Sequence, residues 1–314
     1  MTQRTELSVC ICSHNPRAQF LDRTLCALQA QTLARSRWEL LLIDNASQPA
    51  LTDRVDLRWH GNARILSEPE LGLTAARLRA FSEAASPHVL LVDDDNVLAP
   101  EFLETTLAIA GKHPELGAWG ASIEGEFETE VPKWLERELL FLAVRPIQKQ
   151  QIALSETPGF PTPAGAGMTV HRRVFERYAE HIQQDPFRRE LDRKGSSLIS
   201  AGDTDLSLCA WELGLGLGNF PELRLTHLIP RGRMTPAYLA RLHESMAYSA
   251  YAMKRVRGED ALTTVHSPVR IVRTLARELL HARWQGARFF LSQVKGARKA
   301  HRHFSAVASP ESGS

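Results

Sequence analysis

At 314 residues, 43% hydrophobic and 24% charged, the chain carries enough apolar mass for a substantial core, which excludes a disordered, collagenous or disulfide-stapled protein. Lys and Arg number 38 against 36 Asp and Glu, and a net charge of +2 gives no global reason to expect nucleic acid as a partner. The length fits one large domain or two modest ones.

Residues 1–6 lack the apolar core of a secretory signal, and no apolar run approaches the roughly 20 residues that span a bilayer, so a cytoplasmic location is expected. Short β-rich runs then alternate with amphipathic stretches. Strands are predicted at Leu7 to Cys12, Trp38 to Ile43, Ala63 to Leu66, His88 to Val92 and Leu116 to Ile123, and helices at Phe20 to Gln31, Leu71 to Ala85 and Glu101 to Lys112. Cys10 and Cys12 fall on one face of the first strand and are expected to be buried reduced thiols, since no second Cys/His pair has ligand spacing. Strands apolar throughout, such as Leu40 to Ile43, fit a mostly parallel sheet covered on both faces.

Three strands run directly into polar residues: Ser13-His14-Asn15, Asp44-Asn45 and Asp93-Asp94-Asp95-Asn96. In open α/β sheets ligands collect beyond the carboxyl ends of strands, so this rim reads as a site. Three adjacent carboxylates repel one another and call for a compensating cation, and oxygen donors point to Mg²⁺ or Mn²⁺ holding a diphosphate. A solvated acidic turn capping the next helix is the simpler account of that triplet.

Beyond about residue 124 the rhythm fades into an acidic segment, Glu124 to Glu138, and a Pro/Gly-rich passage from Thr157 to Gly167 expected to be loop. Residues 265–304 hold nine Lys/Arg against only Glu278, interleaved with Ile271-Val272, Leu279-Leu280, Trp284 and Phe289-Phe290-Leu291. Such a segment suits either a helix on an anionic membrane face or one covering the protein's own core.

Ser8 to Asn15, Glu39 to Ser47, Leu71-Gly72-Leu73-Thr74-Ala75-Ala76-Arg77 and the DxD-like Asp93 to Asp95 together resemble the N-terminal half of family 2 glycosyltransferases of the GT-A fold, in order and spacing over roughly the first 125 residues. The resemblance implies an α/β, GT-A-like nucleotide-binding sandwich with a mostly parallel central sheet plus a C-terminal helical extension. It divides the chain into a nucleotide-sugar-binding half (1–124), an acceptor-binding and catalytic half (125–235), a basic helical extension (236–304) and a disordered tail (305–314). It also implies that Ser13 and Asn15 shape a nucleotide pocket, that Asp44 beside Asn45 accepts a hydrogen bond from the base, and that Arg77 reaches base or phosphate. Asp95 is then the foremost metal ligand, with Asp93 and Asp94 competing for a second metal role and for the ribose hydroxyls.

Downstream, Ser200-Ala201-Gly202-Asp203-Thr204-Asp205-Leu206 is similar to the family's Glu-Asp-x-x-Leu segment, which makes Asp203 the candidate catalytic base. Gly202 departs from the pattern where the family has Glu, leaving a carboxylate missing or partly replaced by Asp205. Capping of the following helix is the plainer role for either aspartate. His227 is a candidate to complete the metal site, and Arg231 and Arg233 to hold the diphosphate. The passage ending Pro163 to Met168 is expected to face the acceptor, while Trp134 and Trp211 suit either sugar stacking or core packing.

These features imply an inverting, metal-dependent glycosyltransferase taking a nucleotide sugar, UDP-linked by the resemblance, to a glycan, lipid-linked or small-molecule hydroxyl, with possible peripheral membrane contact through 265–304. Two rivals stand beside it. Asp93-x-Asp95-x-Val97-Leu98 also fits the opening motif of haloacid-dehalogenase-like phosphatases, with Asp93 as nucleophile, and Gly202 allows a non-catalytic nucleotide-sugar-binding protein on the same fold.

Overall fold

A computed structural model describes residues 5–281 and 283–307. Its centre is a nine-stranded sheet. β1 (Leu7–Ser13), β2 (Trp38–Asn45), β3 (Ala63–Glu68) and β4 (His88–Val92) lie parallel in the order β3-β2-β1-β4. The expected parallel sheet therefore holds over this half. Beyond β4 the sheet becomes mixed: β8 (Met168–His171) runs antiparallel to both β4 and β6 (Leu116–Phe127), and β9 (Gly216–Ile229) runs parallel to β6. The short β5 (Asn96–Leu98) and β7 (Gln151–Ala153) pair antiparallel with β9.

Alternation along the strands sorts the core into two layers. Val9, Ile11, Leu40, Leu42, Leu90 and Val92 meet α1 (Ala18–Gln29) and α3 (Phe102–Lys112), while Cys10, Leu41, Ile43, Val89 and Leu91 meet α2 (Leu73–Glu83), α4 (Arg172–Gln184) and α5 (Gly202–Glu212). In α1, Phe20, Leu21, Thr24, Leu25 and Leu28 recur at helical spacing on the buried side. Cys10 and Cys12 face the second layer, where burial pushes both thiols well up, Cys12 to about 12. Such thiols stay protonated and unreactive.

The remaining chain forms α6 (Pro236–Val256), α7 (Pro268–Leu280) and α8 (Trp284–Val307). Leu239 and Leu242 of α6 share a core with Phe289 of α8 and Ile229 of β9, so this block packs onto the sheet domain. A Cβ on Gly296 of α8 would stand 2.0 Å from the Glu244 carbonyl oxygen, so the two helices touch backbone to backbone there. By contrast, no residue of α7 is buried. Residues 305–307, expected as disordered tail, continue α8, and 308–314 lie outside the described residues.

Candidate active site

Strand ends build the first wall of a cleft of 310 Å³. Parallel register sets Ser13 of β1 beside Asp44 of β2, and the chain leaving β4 carries Asp93, Asp94 and Asp95 onto the same rim. Ser13 Oγ donates to Asp94 Oδ2. His14 Nδ1–H donates to the Asn45 carbonyl at 2.6 Å, which turns the imidazole over the cleft. Asn45 also lines the cleft while pinning the loop before α2, its amide donating to Glu68 O and Glu70 O and its Oδ1 accepting from Gly72 N at 2.9 Å.

Two residues expected to shape the pocket on this wall make turn contacts of their own. Asp44 is not among the residues lining the cleft: its oxygens accept from Ser47 N at 3.0 Å and Leu51 N at 2.8 Å, so it folds the turn after β2. The turn that Asp44 closes leaves its neighbour Asn45 lining the cleft. Asn15, at φ 48°, stands at the rim and joins the β1 loop to the Ser47-Gln48 turn, rather than facing the pocket.

The acidic triplet is held in a tight turn in which Asp93 N donates to Asn96 Oδ1 at 3.0 Å and Asn96 N to Asp93 O at 3.1 Å. Burial, then repulsion from Asp95, pushes Asp93 up; the same two causes raise Asp94 to about 7. Burial opposes ionisation of Asp95 as well, but His227 and the cations Arg233 and Arg193 hold its carboxyl below the ordinary range. Pairing of Asn96 with His227 across β5 and β9 brings the imidazole to this turn.

The imidazole orientation bears on a metal. His227 Nδ1–H donates to Leu142 O at 2.9 Å, and Nε2 lies 3.1 Å from Arg233 Nη1 and 3.4 Å from Asp95 Oδ2. The guanidinium of Arg233 stands 3.1 Å from the same Asp95 oxygen, so imidazole and cation both border that carboxylate. By type, buried carboxylates beside an imidazole suit Mg²⁺ or Mn²⁺, so Asp95, Asp93 and His227 are the donors such an ion would use, although their ligand atoms are not all within 4.8 Å of one another. Among the described residues a tighter ligand cluster, His181, Cys209 and Glu212, lies elsewhere, but Arg177 and Arg257 already pair with its carboxylate.

A helix start and two loops form the opposite wall. Antiparallel pairing of β8 with β4 draws the Pro/Gly passage over the strand ends, and Gly165 N donates to Asp203 Oδ2 at 2.9 Å. Asp203 Oδ1 accepts from Thr204 N at 2.9 Å, and the carboxylate, in the first turn of α5 where the helix dipole favours negative charge, lines the cleft. Asp205 does not stand in for a missing carboxylate, since it is buried against Arg188 at 2.6 Å. Arg77 lines the cleft, but its Nη1 is committed to Asp192 at 2.7 Å rather than free to reach for a ligand.

Arg233 lines the cleft, whereas the exposed Arg231 does not. Trp134 packs near Phe289 and Trp211 donates to Ala153 O, so both serve packing. Sequence reasoning missed Arg193, a cleft cation, and Asp192. Their only signal was the charged run Asp192-Arg193-Lys194 closed by Gly195, a glycine that adopts φ 56°.

The fold is shared with known enzymes. S. aureus TarS, residues 1–349, superposes with a TM-score of 0.51 at 12% identity, over 96% of this chain and 92% of that one, and has also been crystallised with UDP and with UDP-GlcNAc. GalNAc-T7, crystallised with UDP, GalNAc and Mn²⁺, gives 0.53 at 15% identity over 90% of this chain and 58% of that one. Among curated proteins, none matches the sequence. The family model for glycosyl transferase family 2 matches residues 8–179, a span running from β1 through the acidic turn into α4. That span contains the parallel half-sheet and sets the triplet at the end of the fourth parallel strand, where a phosphatase nucleophile would open the domain, so the phosphatase alternative falls away. The chain belongs to the family 2 glycosyltransferases.

Proposed function

We propose that the chain transfers a sugar from a UDP-sugar to an acceptor hydroxyl in a single in-line displacement with inversion. The convergence of Asp93 to Asp95 with Asp203 on one cleft, from chain positions more than a hundred residues apart, carries this reading. Asp203, held by Gly165 N–H, takes the acceptor proton as the hydroxyl attacks, a role that contributes roughly 10²–10⁴-fold. Arg233 and Arg193 face the charge that develops on the departing diphosphate. Bound to Asp95, Asp93 and His227, Mg²⁺ or Mn²⁺ would neutralise part of that charge. Asn45 and His14 border the end of the cleft where the base would rest. UDP as carrier draws support from TarS and GalNAc-T7, both crystallised with it.

The acceptor is a glycan, lipid-linked or small-molecule hydroxyl. Contact with an anionic membrane face, the cytoplasmic one in this reading, is part of the same proposal. In α7 Val269, Val272, Ala276, Leu279 and Leu280 form one outward stripe, flanked by Arg270, Arg273 and Arg277, with Leu280 84% and the following Trp284 71% exposed. No helix of the described residues is long and apolar enough to cross a membrane.

Asp203→Asn is the decisive variant: transfer is lost while UDP affinity persists, and retained turnover would remove Asp203 from the mechanism. A non-catalytic binder is distinguished by the wild type itself, which should release UDP slowly from a UDP-sugar in Mn²⁺ without acceptor and stop in EDTA. Co-sedimentation with phosphatidylglycerol-rich vesicles should disappear in Val269→Asp/Val272→Asp/Leu280→Asp. Equal sedimentation of the two proteins would remove the membrane contact.

A further inference from the structure

Asp192 occupies the space that a side chain at position 202 would fill. A Cβ placed on Gly202 falls 2.2 Å from Asp192 Oδ2 and 2.6 Å from its Cγ. Gly202 opens α5 without a positive φ, so it is the neighbouring carboxylate and not the backbone that demands glycine there. The placement is anchored, because Ala201 N donates to Leu191 O at 2.7 Å and so runs residues 191–192 alongside the start of α5. Asp192 is 4% exposed, and its Oδ2 accepts from Arg77 Nη1 at 2.7 Å. The other guanidinium nitrogen, Nη2, lies 2.9 Å from where a Cβ of Gly165 would be, next to the glycine whose N–H holds Asp203.

We propose that Asp192 is a positioning residue for Asp203: a carboxylate delivered from the 191–195 loop into the place of a side chain at 202, where it neutralises and fixes Arg77. The inference rests on Asp203 being the base. Without a partner, the buried guanidinium would turn to the nearest carboxylate, Asp203, and occupy the oxygen that the acceptor hydroxyl needs. With Asp192 in place the cation braces the Gly165 loop and leaves Asp203 held by a neutral N–H. The arrangement also accounts for a glycine preceding the candidate base, since loop and helix supply one carboxylate between them.

Four proteins test it: wild type, Asp192→Asn, Asp192→Gly and Asp192→Gly/Gly202→Glu, with Gly202→Glu alone as the clash control. UDP release from UDP-GlcNAc, UDP-GalNAc or UDP-glucose in Mn²⁺ is followed with UDP affinity by calorimetry and with melting temperature. Asp192→Asn should lose about 30-fold or more in kcat while UDP affinity moves less than about 3-fold, and the double variant should regain about 10-fold over Asp192→Gly. Turnover of Asp192→Asn within about 3-fold of wild type overturns the proposal, as does a folded double variant no faster than Asp192→Gly. If the double variant does not fold, Asp192→Asn alone decides. The melting temperatures test the shared space without reference to activity: Gly202→Glu should be damaging alone and tolerated beside Asp192→Gly, and additive effects overturn the arrangement. A wild type that releases no UDP while those effects are non-additive would count against the transferase reading and spare the shared space.

Discussion

Ser13, Asn45 and Asp93 to Asp95 reach the cleft at the ends of parallel strands, whereas Asp203, Gly165 and Arg193 reach it from a helix start and two loops. The first wall is held by the backbone ladder of a buried sheet. The second is held by single hydrogen bonds and one buried ion pair, among them Gly165 N to Asp203 and Arg77 to Asp192. Substitutions on the first wall should therefore act on donor binding and leave the fold intact, whereas on the second wall Asp203 should act on turnover and Arg193, its cation, on the grip of the diphosphate.

The sharpest contrast pairs Asp203→Asn with Asp95→Asn. Both should lower kcat by at least about 100-fold, but only Asp95→Asn should also weaken UDP binding and abolish its dependence on Mn²⁺ in calorimetry. Equal UDP affinities in the two variants would erase the distinction between the walls. Next comes Arg193→Ala, expected to raise the donor KM about 10-fold through loss of one charge-assisted contact to the diphosphate. Asn45→Ala should raise donor KM by a smaller factor, about 3- to 5-fold, because it frees the loop at Gly72 without removing a charge.

The smallest effect is on stability. Asp94 is raised to about 7 by burial and by Asp95, so in the metal-free protein the folded state keeps a proton that the unfolded chain gives up near pH 4. Stability from this group is thus complete at low pH, falls as pH rises through that window and is flat above about 7. Asp94→Asn should melt above the wild type at pH 8, by about 2–4 °C for each kcal/mol recovered, and lose that advantage at pH 5. Identical differences at both pH values would show that Asp94 is not held protonated.

The two walls also differ in how far they can be read from sequence. The apolar runs of β1, β2 and β4 announce themselves and their polar ends, because apart from the paired Ser8 and Glu39 and the opening His88 these strands are apolar up to their carboxyl ends. Within those ends the individual roles are less legible. Asp44 and Asn45 are adjacent and similar, and only the turn geometry decides that the first builds the bend while the second meets the cleft. On the other wall nothing local marks Asp192, whose role depends on a loop brought against α5 by tertiary packing. Arg231 and Arg233 are likewise indistinguishable as residue types, and the short helical turn between them sends one to solvent and the other to Asp95.

Gly296 carries a consequence for the molecule in motion. α6 and α8 are in backbone contact at Glu244, and α8 shares a core with the end of β9, so these two helices are packed onto the sheet domain. If a flat support were gripped by the outward stripe of α7, which joins α8 directly, it would set the compass bearing of the cleft through α8, as a keel sets the heading of a hull.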